Sequence, residues 1–166
     1  MKIALVQMDV AHGKPVENKK HVKEMLERAL SEKPDVIVLP EMWNTGYALD
    51  ELDGLADKEG LNSQELLSHF ARKHAVAIIG GSVAIEKDGK FYNTTYVYNK
   101  SGDLINTYSR VHLFGLMAED QYMSAGSSES VFELDGVIVA SVICYDIRFL
   151  NGCGHRWHKG PRCFLW

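Results

Sequence analysis

The sequence predicts a single mixed α/β domain on three observations: a strand–helix–strand opening, a second amphipathic helix, and then short strands separated by turn residues. Lys2 to Met8 (KIALVQM) is a short apolar run that reads as the first strand. Pro15 stands where a helix can begin without losing a needed hydrogen bond. Val22, Met25, Leu26, Ala29 and Leu30 then recur at helical spacing, opposite Lys19, Lys23, Glu24, Glu27 and Arg28. Pro34 closes that helix. Asp35 to Pro40 (DVIVLP) brings a continuous apolar run of the kind found in strands covered on both faces, so the opening predicts a parallel or mixed sheet.

Residues 42 to 60 hold glycines and acids without a period and read as a loop containing a helical turn. A second amphipathic helix is predicted from about Asn62, capped by the Asn62-Ser63 pair, with Leu66, Leu67, Phe70, Ala71 and His74 along one stripe. Val76 to Glu86, Phe91 to Asn99 and Leu104 to Tyr108 are strand-like runs divided by Asp88-Gly89 and Ser101-Gly102-Asp103, which predicts an antiparallel meander. A further hairpin is expected around Asp135-Gly136, its second strand running toward Cys144. The last stretch, Asn151 to Trp166, shows neither strand nor helix period and contains no acid. The domain therefore reads as residues 1–150, followed by an unstructured tail over 151–166.

Composition narrows the function classes. At 166 residues, 46% of them hydrophobic, the chain can bury a real core, which excludes disorder throughout. Lys and Arg number 18 against 22 Asp and Glu, so there is no basic excess to attract nucleic acid or an anionic membrane. The apolar start breaks off at Asp9, too soon for a signal-peptide core or a membrane span, and a cytoplasmic location is expected. Three cysteines, Cys144, Cys153 and Cys163, form an odd set in the last quarter of the chain, a poor basis for a disulfide framework.

The residues that point to chemistry stand directly after buried strands: Glu41 follows DVIVLP and Cys144 follows GVIVASVI. Open α/β sheets place reactive groups at such positions. A thiol beside a carboxylate and a cation has what nucleophilic catalysis requires: a nucleophile, a base to take its proton, and charge to favour the thiolate. Without that company, Cys144 reads as a small apolar core residue and Glu41 as a surface acid.

Three segments in order supply the company. Leu39-Pro40-Glu41-Met42-Trp43-Asn44-Thr45-Gly46-Tyr47, Tyr108-Ser109-Arg110-Val111-His112-Leu113-Phe114 and Cys144-Tyr145-Asp146-Ile147-Arg148-Phe149 resemble the three catalytic motifs of the nitrilase superfamily of carbon–nitrogen hydrolases, and most of all its omega-amidase-like members. The resemblance implies an α-β-β-α sandwich whose subunits pair through helices as a homodimer, and hydrolysis of a small amide with no metal or organic cofactor. It makes Cys144 the nucleophile, Glu41 the general base and Glu119 a supporting carboxylate. The Tyr145 backbone N–H would join a cation in holding the oxyanion.

Two features depart from the family pattern. Where members carry lysine, this chain has Arg110, whose guanidinium is planar and bulkier than an ammonium. His112 offers a rival base, although in this setting it reads as a brace for the second motif. The likeness stops after Phe149, where members continue into further strands and helices, so the resemblance implies that the C-terminal part is missing; Asn151 to Trp166 reads as a shifted frame with an early stop. A truncated, non-catalytic homologue acting as a binding partner is the competing expectation. Cys153, His155, His158 and Cys163 are zinc-type ligands at a spacing that matches no standard zinc pattern.

Overall fold

The computed structural model describes residues 1–153 and 163–165. The opening is the expected β-α-β unit: β1 (Ile3–Leu5), α1 (Pro15–Leu30) and β2 (Val36–Val38), with β1 and β2 parallel in the register Ile3 to Val36. Pro15 occupies the first turn of α1. Val22 and Leu26 are fully buried on its inner face, while Met25, Ala29 and Leu30 pack partly against the same core.

The loop after β2 contains a 3-10 turn (Leu49–Glu51), the short helix α2 (Leu52–Leu55) and the two-residue strand β3 (Asp57–Lys58). Helix α3 (Leu61–His74) starts one residue before the expected cap, and Ser63 lies inside its first turn. Asp57 does the capping instead: its carboxylate accepts from the backbone N–H groups of Asn62 at 3.2 Å and Ser63 at 2.7 Å. Gly60 makes the entry possible, since it is left-handed at φ +67° and a Cβ there would collide with the Tyr96 hydroxyl.

The run Val76 to Glu86 is two strands, β4 (Ala77–Ile79) and β5 (Val83–Lys87), interrupted at Gly80-Gly81. Both lie antiparallel to β6 (Lys90–Tyr98), which also pairs antiparallel with β7 (Leu104–Ser109). β2 adds to β4 and β3 adds to β5, both parallel, completing a seven-stranded mixed sheet. A second sheet contains β8 (Val131–Leu134) and β9 (Val137–Ser141) in the expected hairpin. β10 (Cys163–Leu165) pairs parallel to β9, so this part of the tail differs from the reading of 151–166 as unstructured. A three-residue strand is too short to register as a period; residues 151–153 belong to a 3-10 segment, and residues 154–162 and 166 lie outside the described residues.

Alternation along the central strands builds the layers. Ile37, Ile78, Tyr96 and Tyr98 face Val22, Leu26, Leu67 and Phe70 of the helices. Their neighbours Val36, Val38, Ala77, Ile79 and Val97 face Phe132, Leu134 and Val139 of the second sheet. Strands buried on both faces explain why DVIVLP shows no polar alternation. The result is helices, sheet and sheet stacked in order, three layers of the expected four among the described residues. No helix among them is long and apolar enough to cross a membrane.

Candidate active site

Glu41 owes its place to the way its neighbours lock the chain leaving β2. Ser82 N–H donates to the Pro40 carbonyl at 3.1 Å, and the Met42 N–H donates to Ser82 Oγ at 3.0 Å. Trp43 Nε1 donates to the Gly80 carbonyl at 2.8 Å. The Asn44 amide forms a two-way bridge with the Ala84 backbone, both bonds 2.9 Å. Backbone and side-chain contacts to residues 80–84 together hold the loop, so residues 42–47 need no repeating pattern of their own.

The cation arrives from the other side of β6. Arg110 follows β7 and extends its ladder, donating its N–H to the Asn93 carbonyl at 2.9 Å. Its side chain is 1% exposed, and Nη1 stands 3.1 Å from Glu41 Oε1. The same nitrogen is 3.1 Å from each oxygen of Glu119, which is equally buried in the short helix α4 (Glu119–Tyr122). Arg110 Nε donates to the His112 carbonyl at 3.0 Å, whereas Nη2 is buried with no hydrogen-bond partner. Burial alone would lower the Arg110 pKa, but Glu119 and Glu41 more than offset it and hold the guanidinium charged.

Cys144 opens a 3-10 segment (Cys144–Cys153) just past β9, with its backbone left-handed at φ +47°. Only a structure that determines it from several sides keeps a non-glycine residue there. The exposed thiol and Glu41 line one cavity of about 200 Å³, walled by Val38, Leu39, Ile79 and Ile143. Burial and the Glu41 carboxylate push the Cys144 pKa up, and Arg110 only partly counters them. The expectation that flanking charge favours the thiolate is therefore corrected. Arg110 is already engaged by two carboxylates, so burial and the Glu41 charge outweigh it at the thiol.

Glu41, Arg110, Glu119 and Cys144 are thus brought together. Tyr145 sits beside them with its ring against Phe114 (4.9 Å) and Phe149 (5.3 Å). His112 is engaged elsewhere, its Nδ1 2.9 Å from Asp146 Oδ1 and its ring stacked 4.0 Å from Phe149. Two further residues engage Glu41, and a third holds the second motif beside the group. Asn93 Nδ2 donates to Glu41 Oε1 at 3.0 Å. Tyr47 hydrogen-bonds Glu41, and its pKa is driven far up by burial and then by that carboxylate. Asp146, 3% exposed, gathers donors from the second motif. Asn93 carries no signal in the sequence beyond its strand, while Tyr47 and Asp146 stand inside the motifs. No group of three or more His, Cys, Asp or Glu among the described residues is placed to hold a metal ion, and His155 and His158 of the zinc-type set lie outside those residues.

Helices and two sheets that gather a thiol, two carboxylates and a guanidinium beyond their strand ends define a nitrilase-type protein. The chain belongs to the carbon-nitrogen hydrolase family, which matches residues 2–153. It is 49% identical over 147 residues to the 2-oxoglutaramate amidase of Bacillus subtilis (strain 168), covering 89% of this chain and 56% of that protein. It is 34% identical over 155 residues to the omega-amidase NIT2 of Danio rerio, covering 89% and 56%. Saccharomyces cerevisiae Nit3, a member of branch 10 of the nitrilase superfamily, superposes with a TM-score of 0.87 at 27% identity, over 99% of this chain and 62% of that one. The chain spans somewhat more than half the length of these curated relatives.

Proposed function

We propose that the chain hydrolyses the carbon–nitrogen bond of a small omega-amide, with Cys144 as nucleophile and Glu41 as general base. The observation that carries this reading is that Cys144 and Glu41 line one cavity, with Arg110 fixed 3.1 Å from the same carboxylate. Glu41 takes the thiol proton as sulfur attacks the amide carbon. Negative charge on the resulting oxygen is met by Arg110 and the Tyr145 backbone N–H. The tetrahedral intermediate expels ammonia as the nitrogen takes the proton back from Glu41, leaving a thioester on Cys144. Water then gives a proton to Glu41 and attacks the thioester, and the carboxylic acid leaves as the thiol regains that proton. Glu119 keeps Arg110 charged and in place. The names of the relatives support an amide carrying a distal carboxylate as substrate.

The proposal extends to setting and organisation: a cytoplasmic protein without cofactor or nucleic-acid partner, its hydrolase part within residues 1–150, pairing as a homodimer. A net charge of −4 and an odd cysteine count support the first part, and the family resemblance supports the dimer. A second reading, a non-catalytic homologue serving as a binding partner, is favoured by one observation: Arg110 is shared between two carboxylates, Glu41 and Glu119. Ammonia release from a panel of small omega-amides and nitriles separates the two. Turnover abolished by Cys144→Ala supports the hydrolase. Silence from the parent chain, Cys144→Ala and Arg110→Lys in a cooperatively folded sample supports the binding partner.

A further inference from the structure

We infer that Asp146 is a positioning residue that sets the Cys144 nucleophile and the Arg110 cation in one frame; this rests on the hydrolase reading above. The Asp146 carboxylate accepts from Tyr108 OH at 2.6 Å, from the His112 N–H at 2.8 Å and from the Ile143 N–H at 3.4 Å, and His112 Nδ1 lies 2.9 Å away. These contacts join two stretches of chain far apart in sequence: the end of β7 with the turn that follows it, and the segment carrying the thiol.

Two of the contacts act on the reacting groups through the backbone. Asp146 N–H donates to the Ile143 carbonyl at 3.1 Å while the Ile143 N–H points back to the Asp146 carboxylate, which closes a tight turn around Cys144 and Tyr145. That turn contains the left-handed φ of +47° at Cys144, a conformation that needs holding. On the other side, His112 gives its N–H to Asp146 and its carbonyl to Arg110 Nε at 3.0 Å. One carboxylate thereby fixes the turn that aims the thiol and the peptide that aims the guanidinium. A buried carboxylate satisfied by several donors is costly to disturb, because each donor left behind is then unpaired.

The test uses Asp146→Asn in the full chain. The side chain keeps its size but replaces one acceptor oxygen with a donor that faces the donors already present. Two readouts are followed: kcat and KM for a small dicarboxylic acid monoamide, and the pH profile of Cys144 alkylation by iodoacetamide. The expected result is a kcat lower by about 10- to 100-fold with KM within about threefold, the signature of misplaced reacting groups. The alkylation midpoint is expected to move down by about one pH unit, toward an ordinary thiol. Val22→Ala, which weakens the distant helix core, should change neither readout; if it moves both as Asp146→Asn does, the role is structural only and the inference fails. A folded Asp146→Asn protein with the parent kcat and alkylation profile overturns it as well. If Asp146→Asn does not fold, Tyr108→Phe removes one donor and keeps the carboxylate; kcat and alkylation unchanged there are equally fatal. A parent chain that releases no ammonia defeats the hydrolase reading, while the alkylation profile still decides the positioning.

Discussion

Arg110 Nη1 lies 3.1 Å from Glu41 Oε1, and the same nitrogen also serves both oxygens of Glu119. Burial and then the Glu41 charge hold Cys144 above the ordinary thiol range, and a guanidinium divided between two carboxylates only partly counters them. Lysine would place one compact charge here and could not also reach the His112 carbonyl through a second, rigidly oriented nitrogen.

Removing the cation should cost stability before it costs anything else. Arg110→Met leaves Glu119, 1% exposed, facing Glu41 without a counter-charge. Breaking a buried pair on one side costs about 3–5 kcal/mol; because Glu41 is 23% exposed, the lower end is expected. Urea unfolding at neutral pH measures it, and a loss below about 1 kcal/mol would mean that the contacts of Arg110 with Glu41 and Glu119 carry little net stability. Arg110→Lys keeps the charge, should stay near the parent stability, and is expected to raise amide turnover. Unchanged turnover would place the limiting step elsewhere.

Glu41→Gln should separate thiol reactivity from catalysis. Burial and the Glu41 charge raise the Cys144 pKa; the variant removes the second cause and leaves the first. The thiolate then forms at lower pH, so alkylation by iodoacetamide near pH 8 should rise several-fold while amide turnover falls by about 10²–10⁴. Slower alkylation in the variant would show that Glu41 lowers the thiol pKa rather than raising it.

The layers and the motif residues were legible in the sequence for different reasons. Strong periods, as in α1, and unbroken apolar runs, as in β2, record burial directly, since side-chain direction repeats with the backbone. Glu41, Arg110 and Cys144 were readable as strand-end residues within motifs. What stayed hidden were long-range polar contacts: Asp57 capping α3 and Asn93 holding Glu41 across 52 positions leave no local pattern. Val76 to Glu86 reads as one run although the chain breaks at Gly80-Gly81, because nothing in an apolar run states that the chain of another loop must pass there.

Asp35 should make the fold sensitive to acid. Its carboxylate accepts from the Lys2 N–H at 2.6 Å, with Lys100 Nζ at 3.6 Å and the N-terminal amine at 3.9 Å, and these contacts hold its pKa below the usual carboxylate value. A folded-state pKa lower than the unfolded one adds stability that is present above about pH 4 and lost as pH falls through the depressed value. Asp35→Asn should therefore be less stable than the parent near pH 6 and converge with it toward pH 2. Urea midpoints that keep a constant gap over that range would remove Asp35 from the acid response.

Gly81 ties the sheet to the site, and Gly81→Ala tests that link. The residue is left-handed at φ +58°, and a Cβ there would collide with the carbonyls of Leu39 and Pro40, which are backbone and have no rotamer by which to retreat. Part of the cost is conformational, about 1–3 kcal/mol for a non-glycine residue held in that region. The rest falls on the chain entering Glu41, because Ser82 N–H binds the Pro40 carbonyl and Ser82 Oγ binds Met42 N–H. Relief of the clash has to lift that segment, and with it Glu41, away from Cys144 and Arg110. Turnover in the folded fraction should fall by about 100-fold, as for a catalytic group displaced by about 1 Å. Gly89→Ala provides the control: it has a comparable φ of +70° but open space around it, so it should lose similar stability and keep its turnover. Equal loss of turnover in both variants would show that strain alone, and not the path of the chain into Glu41, explains the effect.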